Sequence, residues 1–187
     1  MKVIHFCVMS ESVQVVNCMR ELRLGIRIDL EEVHRLFPNA KFYRGRPQMI
    51  VVKMTCGRNL QLFASGCVQI MGNLSDSRAE SMSYEIVHHL RQLYPHIRMP
   101  PLTLKNLVVS ARLKTNIPLH RLQHSSSDVC YEPELFPALL IRRYHPVHIA
   151  IFHNGRCIIT GLRSVEQGQT IVDELTVYLK QNNMLSN

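Results

Sequence analysis

The sequence repeats itself. Displaced by 89 residues, it meets its own special positions in one ungapped register. Asn17 falls on Asn106, Arg23 on Arg112, Leu24 on Leu113, Ile28 on Ile117 and Leu30 on Leu119. Further on, FASGCVQIMG falls on FHNGRCIITG, so Phe63, Gly66 and Gly72 coincide with Phe152, Gly155 and Gly161. Ser75, Glu85 and Leu90 meet Ser164, Glu174 and Leu179. Leucines coincide readily by chance; two glycines, a phenylalanine and an asparagine in one register do not. Two copies of this length are too few and too long for a solenoid. The pattern predicts a pseudo-twofold domain, with a short extension at 1–12, one repeat at 13–98 and a second at 99–187. So short a segment ahead of Val13 leaves no long regulatory tail.

Within each copy the residue types predict one order of elements: strand, helix, several antiparallel strands, helix. A β-rich stretch opens each repeat at Val13–Leu24 and Leu102–Leu113. In the first copy Asp29 and Glu32 form a capping-box pattern ahead of a short helix, which Pro38 helps to stop. Strands are expected at Met49–Met54, Leu60–Phe63 and Val68–Met71, with partners at Ala138–Ile141, Ile149–Phe152 and Cys157–Thr160. Gly57 and Pro146 mark equivalent turns, and Ser65-Gly66 and Asn154-Gly155 mark the next ones. A longer helix closes each copy. Ala79, Met82, Ile86, Leu90 and Leu93 make one apolar stripe; Ile171, Leu175, Tyr178 and Leu179 make the other, after a Ser164/Gln167 box.

Charge follows the same division. Residues 1–95 carry 12 basic and 8 acidic side chains and residues 96–187 carry 10 and 6, so each half is +4 and the chain +8. A basic excess of this size favours a polyanionic partner over a neutral one. The longest apolar runs, Met49–Val52 and Phe136–Ile141, fall far short of the roughly 20 residues that span a bilayer. Met1–Ser10 lacks the basic region and cleavage site of a secretory signal. The cysteines at 7, 18, 56, 67, 130 and 157 form no C-x-x-C pair, so they read as buried, reduced thiols rather than zinc ligands. His145, His148 and His153 would lie on both faces of a strand, and His88-His89 has no acidic or cysteine partner. No metal site, cofactor or catalytic module is expected.

A sheet covered on one face should alternate apolar and polar residues. MIVV and ALLI do not. The uncovered face must therefore also meet something apolar: another sheet, a subunit, a lipid, or the floor of a DNA minor groove.

The segment YEPELFPALLIRRYHPVHIAIFHNGRCIITG, Tyr131 to Gly161, resembles the C-terminal repeat of the TATA-box-binding protein family, which begins the corresponding stretch with the same YEPELFP. LRLGIRIDLEEV and the FASG turn resemble the other repeat more loosely, and the similarity runs from about Val13 to Lys180. The resemblance implies an α+β saddle of two pseudo-symmetric repeats: a curved antiparallel ten-stranded sheet with four helices on its convex face. It further implies a general transcription factor that binds and bends promoter DNA through the minor groove and recruits transcription factor IIB, in a nucleus or at the replication site of a virus. Transcription factor IIA is a further partner by the same likeness. In the absence of DNA, the apolar face offers a dimer contact.

Carried over position by position, Phe136 and Phe152 match wedging phenylalanines, with Pro137 after the first. Asn106 matches a central asparagine, Thr160 the threonine beside it, and Val108 and Ile158 the small apolar residues that exclude guanine. Arg142, Arg156 and Arg163 match phosphate contacts. In the first repeat Asn17, Met19, Phe63 and Lys53 fall at DNA-facing positions. Pro47 stands in place of the first wedge, Gln69 and Met71 replace valine and threonine, Cys67 and Leu74 replace basic residues, and Glu21 sets a carboxylate where a small polar residue is expected. Gripping should therefore be asymmetric, with the second repeat dominant. Glu132, Glu134 and Leu135 match the positions that contact transcription factor IIB. The rival reading is a DNA-independent adaptor or competitor that keeps this loop without recognising TATA DNA.

Overall fold

Burial alternates along residues 49–53, 59–63, 67–71 and 148–152, and that alternation separates a covered face from an open one. The structure, a computed structural model, describes residues 12–113, 116–122 and 126–184. The expected extension, apart from Ser12, and Cys7 lie outside these residues. The chain divides into two compact units: residues 17–105, and residues 106–184 together with the described residues before Asn17.

In the unit of residues 17–105 the elements are β1 (Gln14–Arg23, from Asn17 onward), α1 (Leu30–Leu36), β2 (Lys41–Tyr43), β3 (Met49–Lys53), β4 (Asn59–Phe63), β5 (Cys67–Met71) and α2 (Asp76–Leu90). The strands pair antiparallel in the order β2-β3-β4-β5-β1. Ile50, Val52, Leu60, Leu62, Val68 and Ile70 point to one face and are buried with Met82, Ile86 and Leu90 of α2. Each such side chain contributes about 1.5–3 kcal/mol by leaving water. The alternate residues of the same strands form an open face.

The other unit contains β6 (Thr103–Arg112, from Asn106 onward), β7 (Val129–Cys130), β8 (Ala138–Ile141), β9 (His148–Phe152), β10 (Arg156–Leu162) and α3 (Val165–Gln181). Its antiparallel order is β6-β10-β9-β8-β7, the same arrangement displaced along the sequence. Val109, Ile149, Ile151, Cys157 and Ile159 are buried, as are Ile171, Leu175 and Leu179 of α3.

The ten strands implied by the resemblance are present; the helices differ. Where the second repeat should carry the counterpart of α1, the described residues hold one 3-10 turn, Leu119–Arg121. The cause lies at the cap. Asp29 accepts from the backbone N–H groups of Glu31 and Glu32, whereas Pro118 stands at the equivalent position and offers no side-chain acceptor. The capping box at Asp29 is closed through a third residue: its N–H donates to the Tyr94 hydroxyl, which donates to Glu32. At α3, Ser164 accepts from Gln167 N–H while Gln167 accepts from Arg163 N–H.

Other expectations need correction. Leu93 lies beyond the end of α2 and is 36% exposed, and Tyr178 is half-buried beneath the Arg143 guanidinium rather than in the core. Of the described cysteines only Cys18 and Cys157 are buried; Cys56 is exposed and Cys67 and Cys130 are intermediate. β2 and β7 are edge strands too short to read from periodicity.

One turn recurs in both units. Gly66 N–H donates to Phe63 C=O and Gly155 N–H to Phe152 C=O, and the carbonyls of these glycines accept from Leu24 and Leu113. Both glycines have φ near +80°. A Cβ on Gly66 would lie 1.9 Å from the Ile26 carbonyl oxygen, whereas one on Gly57, at the same φ, would meet nothing within 4 Å. Gly57→Ala is expected to destabilise by about 1 kcal/mol, from backbone strain alone, and Gly66→Ala by roughly 3 kcal/mol or more. Urea unfolding of the two variants side by side checks the difference.

Candidate nucleic-acid interface

The open face of residues 106–184 begins with a pair of aromatic rings. Phe152 ends β9 and is held by the Gly155 turn; Phe136 precedes β8 and is 45% exposed. Their ring centroids are 6.2 Å apart with planes inclined at 63°. Ala138 is the strand partner of Phe152 and is buried, small enough to let the rings close above it. Pro137 follows and is exposed.

Beside the rings the face is small and apolar. Ile158 of β10 sits between Ser110 on β6 and Ala150 on β9, and Ala150 is opposite Leu140. Val108 and Thr160 continue the same face and are half-buried. Asn106 has one defined partner: its side-chain carbonyl accepts from Gly161 N–H at 2.9 Å, where the β6–β10 register shifts. A backbone N–H requires an acceptor, so the oxygen is fixed on the Gly161 side and the amide NH₂ is the group left to donate. Gly161 has φ +88°, and a Cβ there would lie 2.6 Å from the Pro146 carbonyl oxygen.

Basic residues surround this surface. Arg142, Arg156 and Arg163 are exposed. Arg112, which the sequence reading passed over, is the cross-strand partner of Arg156. The two line one recess of about 530 Å³ with Ser110. Like charges directly opposite in a sheet are unfavourable, so a shared anion would relieve the pair. The Arg23/Arg112 coincidence in the repeat was the available signal, since both copies carry a cation there.

The open face of residues 17–105 differs in kind. Asn17 is exposed, Met19 is opposite Met71, and Phe63 is opposite Met49. Lys53 ends β3, exposed. Pro47, in place of a second ring, lines a recess of about 600 Å³ with Phe63, Gln48, Glu21, Gln69 and Cys67. Gln69 is opposite Glu21 on one side and Gln61 on the other. Leu74, the counterpart of Arg163, is buried in the core.

Glu21 is 6% exposed and far from unpartnered. Arg23 Nε lies 2.7 Å and Lys105 Nζ 3.5 Å from one carboxylate oxygen, and the Cys67 thiol donates to the other at 3.3 Å. Burial pushes its carboxyl up, but the hydrogen bonds from Cys67 and Arg23 and the charges of Arg23 and Lys105 outweigh it and hold the group below its ordinary value. The Cys67 thiol is pushed up to about 11, by burial first and then by its bond to Glu21. The repulsion expected of an isolated carboxylate at this position is thus largely cancelled within the unit.

The Tyr131–Pro137 loop is a separate surface. The N–H groups of Leu135 and Phe136 both donate to the Glu132 carbonyl at 2.9 Å, which fixes the turn. Glu132 and Glu134 are exposed and Leu135 is 80% exposed. Among the described residues there is no group of three or more metal-ligating side chains, and no helix is long and apolar enough to cross a membrane.

Comparison with known proteins identifies the family and supports the fold. The family described as transcription factor TFIID, or TATA-binding protein, matches residues 12–93 and again 101–182. The TATA-box-binding protein of Methanocaldococcus jannaschii is 29% identical over 177 residues, covering 93% of this chain and 97% of the relative. TATA-box-binding protein 2 of Haloferax volcanii is 30% identical, covering 89% and 92%. The solved structure of the Methanococcus jannaschii protein superposes with a TM-score of 0.78 at 28% identity, over 91% of this chain and 99% of that one. The chain belongs to the TATA-box-binding protein family.

The Glu21 cluster has a pH signature. Because the folded-state pKa is depressed, the stabilisation is complete above pH 4.5 and is lost as the pH falls through the lower folded value. Glu21→Gln is expected to lower stability at pH 7 by on the order of 1 kcal/mol. It should also flatten the fall in stability below pH 4.5, measured by denaturant unfolding across pH.

Proposed function

We propose that this member of the family is a promoter-binding transcription factor that grips duplex DNA in the minor groove, chiefly through residues 106–184. The observation that carries the reading is the Asn106 amide. Its carbonyl is engaged by Gly161, so it presents a donor, and the minor-groove edge of an A·T pair presents only acceptors. Val108 on the same strand, and Ile158 and Ala150 further across the face, tolerate that edge and would crowd a guanine amino group.

TATA-box-binding protein is itself the standard case of minor-groove kinking, so the wedge is carried here from the family. Phe136 and Phe152 supply it: aromatic stacking replaces part of the base stacking lost when a step opens. Arg112, Arg142, Arg156 and Arg163 then meet phosphates and set the salt dependence. Pro47 and Phe63 form the weaker counterpart in residues 17–105. The acidic, exposed Glu132–Leu135 turn receives transcription factor IIB, since a carboxylate pair on a basic chain suits a protein better than DNA. The work requires only access to duplex DNA; the relatives compared are archaeal and so act without a nucleus.

Titration of labelled TATA and G·C-rich duplexes across a salt series tests this. A preference for TATA is expected, weakened about tenfold or more by Phe136→Ala or Phe152→Ala and less by Phe63→Ala. Weak binding to both duplexes that vanishes with salt, together with retained capture of transcription factor IIB, would instead establish the DNA-independent adaptor.

A further inference from the structure

The two open faces carry one row of side chains in the same register, and its chemistry is inverted between them. In residues 106–184 the row across β6, β10, β9 and β8 reads Ser110, Ile158, Ala150, Leu140. In residues 17–105 the equivalent row across β1, β5, β4 and β3 reads Glu21, Gln69, Gln61, Val51. One row is largely apolar, and the other sets a carboxylate and two amides before Val51.

Resting on the minor-groove reading above, we propose that residues 17–105 select a stretch containing a G·C pair, with Gln69 and Gln61 accepting from the guanine N2 amino group. That amino group is the only hydrogen-bond donor on the minor-groove floor. Next to Ile158 and Ala150 it is buried without a partner, which is unfavourable. Next to Gln69 and Gln61 it finds acceptors, and the glutamine NH₂ groups can turn to the N3 and O2 acceptors of the same pair. Both glutamines are half-buried, so part of each side chain lies open on this face. Glu21 accepts from Arg23 and Cys67 and has its charge balanced by Lys105, so it completes the row without a bare negative charge against the phosphates. The recess left where Pro47 replaces an aromatic ring adjoins this row, giving room for the exocyclic group. The site read by the whole chain is then composite: A·T pairs under one unit and a G·C-containing stretch under the other.

Selection from a random duplex pool, followed by replacing each guanine of the bound site with inosine, tests the inference. Inosine removes the N2 amino group and leaves the rest of the minor-groove edge as an A·T-like row of acceptors. The expected result is a site with A·T pairs in one half and a guanine in the other, whose replacement weakens binding about fivefold to a hundredfold. Gln69→Ile with Gln61→Ala, which imports the residues of the other unit, should abolish that sensitivity while keeping the A·T half. Ile158→Gln should confer tolerance of guanine on the A·T half, which guards against a merely unfolded variant. A site of A·T pairs in both halves, or inosine that leaves affinity unchanged or raises it, overturns the inference and leaves minor-groove binding standing. Enrichment of no sequence removes the minor-groove reading, and this inference with it.

Discussion

Burial of one face of each sheet beneath its closing helix is the constraint on which everything else rests. Leu60, Leu62, Val68 and Ile70 in one unit and Ile149, Ile151, Cys157 and Ile159 in the other are all within 1% of full burial. Side chains alternate across a strand, so a slip of one residue would carry the whole apolar set to the solvent. Register is thereby fixed without any contribution from the open face. That face is free to vary, and the internal repeat shows that it has: the covered positions stay apolar while the exposed ones change chemistry.

Placement of Phe63 and Phe152 depends on a second, more local constraint. Each of Phe63 and Phe152 stands at the end of a strand whose turn is closed by a glycine N–H and tied by that glycine's carbonyl to the residue just past β1 or β6, Leu24 or Leu113. The left-handed φ and, at Gly66, the approach of the Ile26 carbonyl leave no room for a side chain. Asn106 is positioned in a similar way through Gly161, whose backbone takes up the Asn106 carbonyl. Rigid backbone thus orients Phe63, Phe152 and Asn106, as the proposed groove contact requires.

Much of this was legible because it is local or repeated. The cap at Asp29, the Ser164 box, the glycine turns and the strand cores follow from spacing alone, and the 89-residue register transfers one copy's reading to the other. What escaped depends on cross-strand neighbours. Glu21 looked like a bare carboxylate, because nothing in the linear sequence brings Cys67 and Lys105 to it. Arg112 was visible as a repeat match, but only the β6–β10 pairing sets it against Arg156. Leu74 reads as a lost phosphate contact and proves to be core. Among the described residues a 3-10 turn stands where the counterpart of α1 would begin, and Pro118 there supplies no side-chain cap of the Asp29 type.

The two copies also resolve their electrostatics in opposite ways. At the position shared by Arg23 and Arg112, the first copy answers its arginine with Glu21 on the same strand and a neutral thiol opposite. The second copy sets Arg156 opposite Arg112, and no carboxylate lies in an ion pair with either among the described residues. Such a pairing lowers stability in the free protein, so stability alone does not account for it. It is accounted for if the second copy meets a polyanion that neutralises both cations, while the first, whose Arg23 is already answered by Glu21, adds contact to the groove rather than further charge to the backbone at this position. Charge for the phosphate backbone would then be concentrated on one half of the chain while both halves read the groove floor, a division that identical copies could not make.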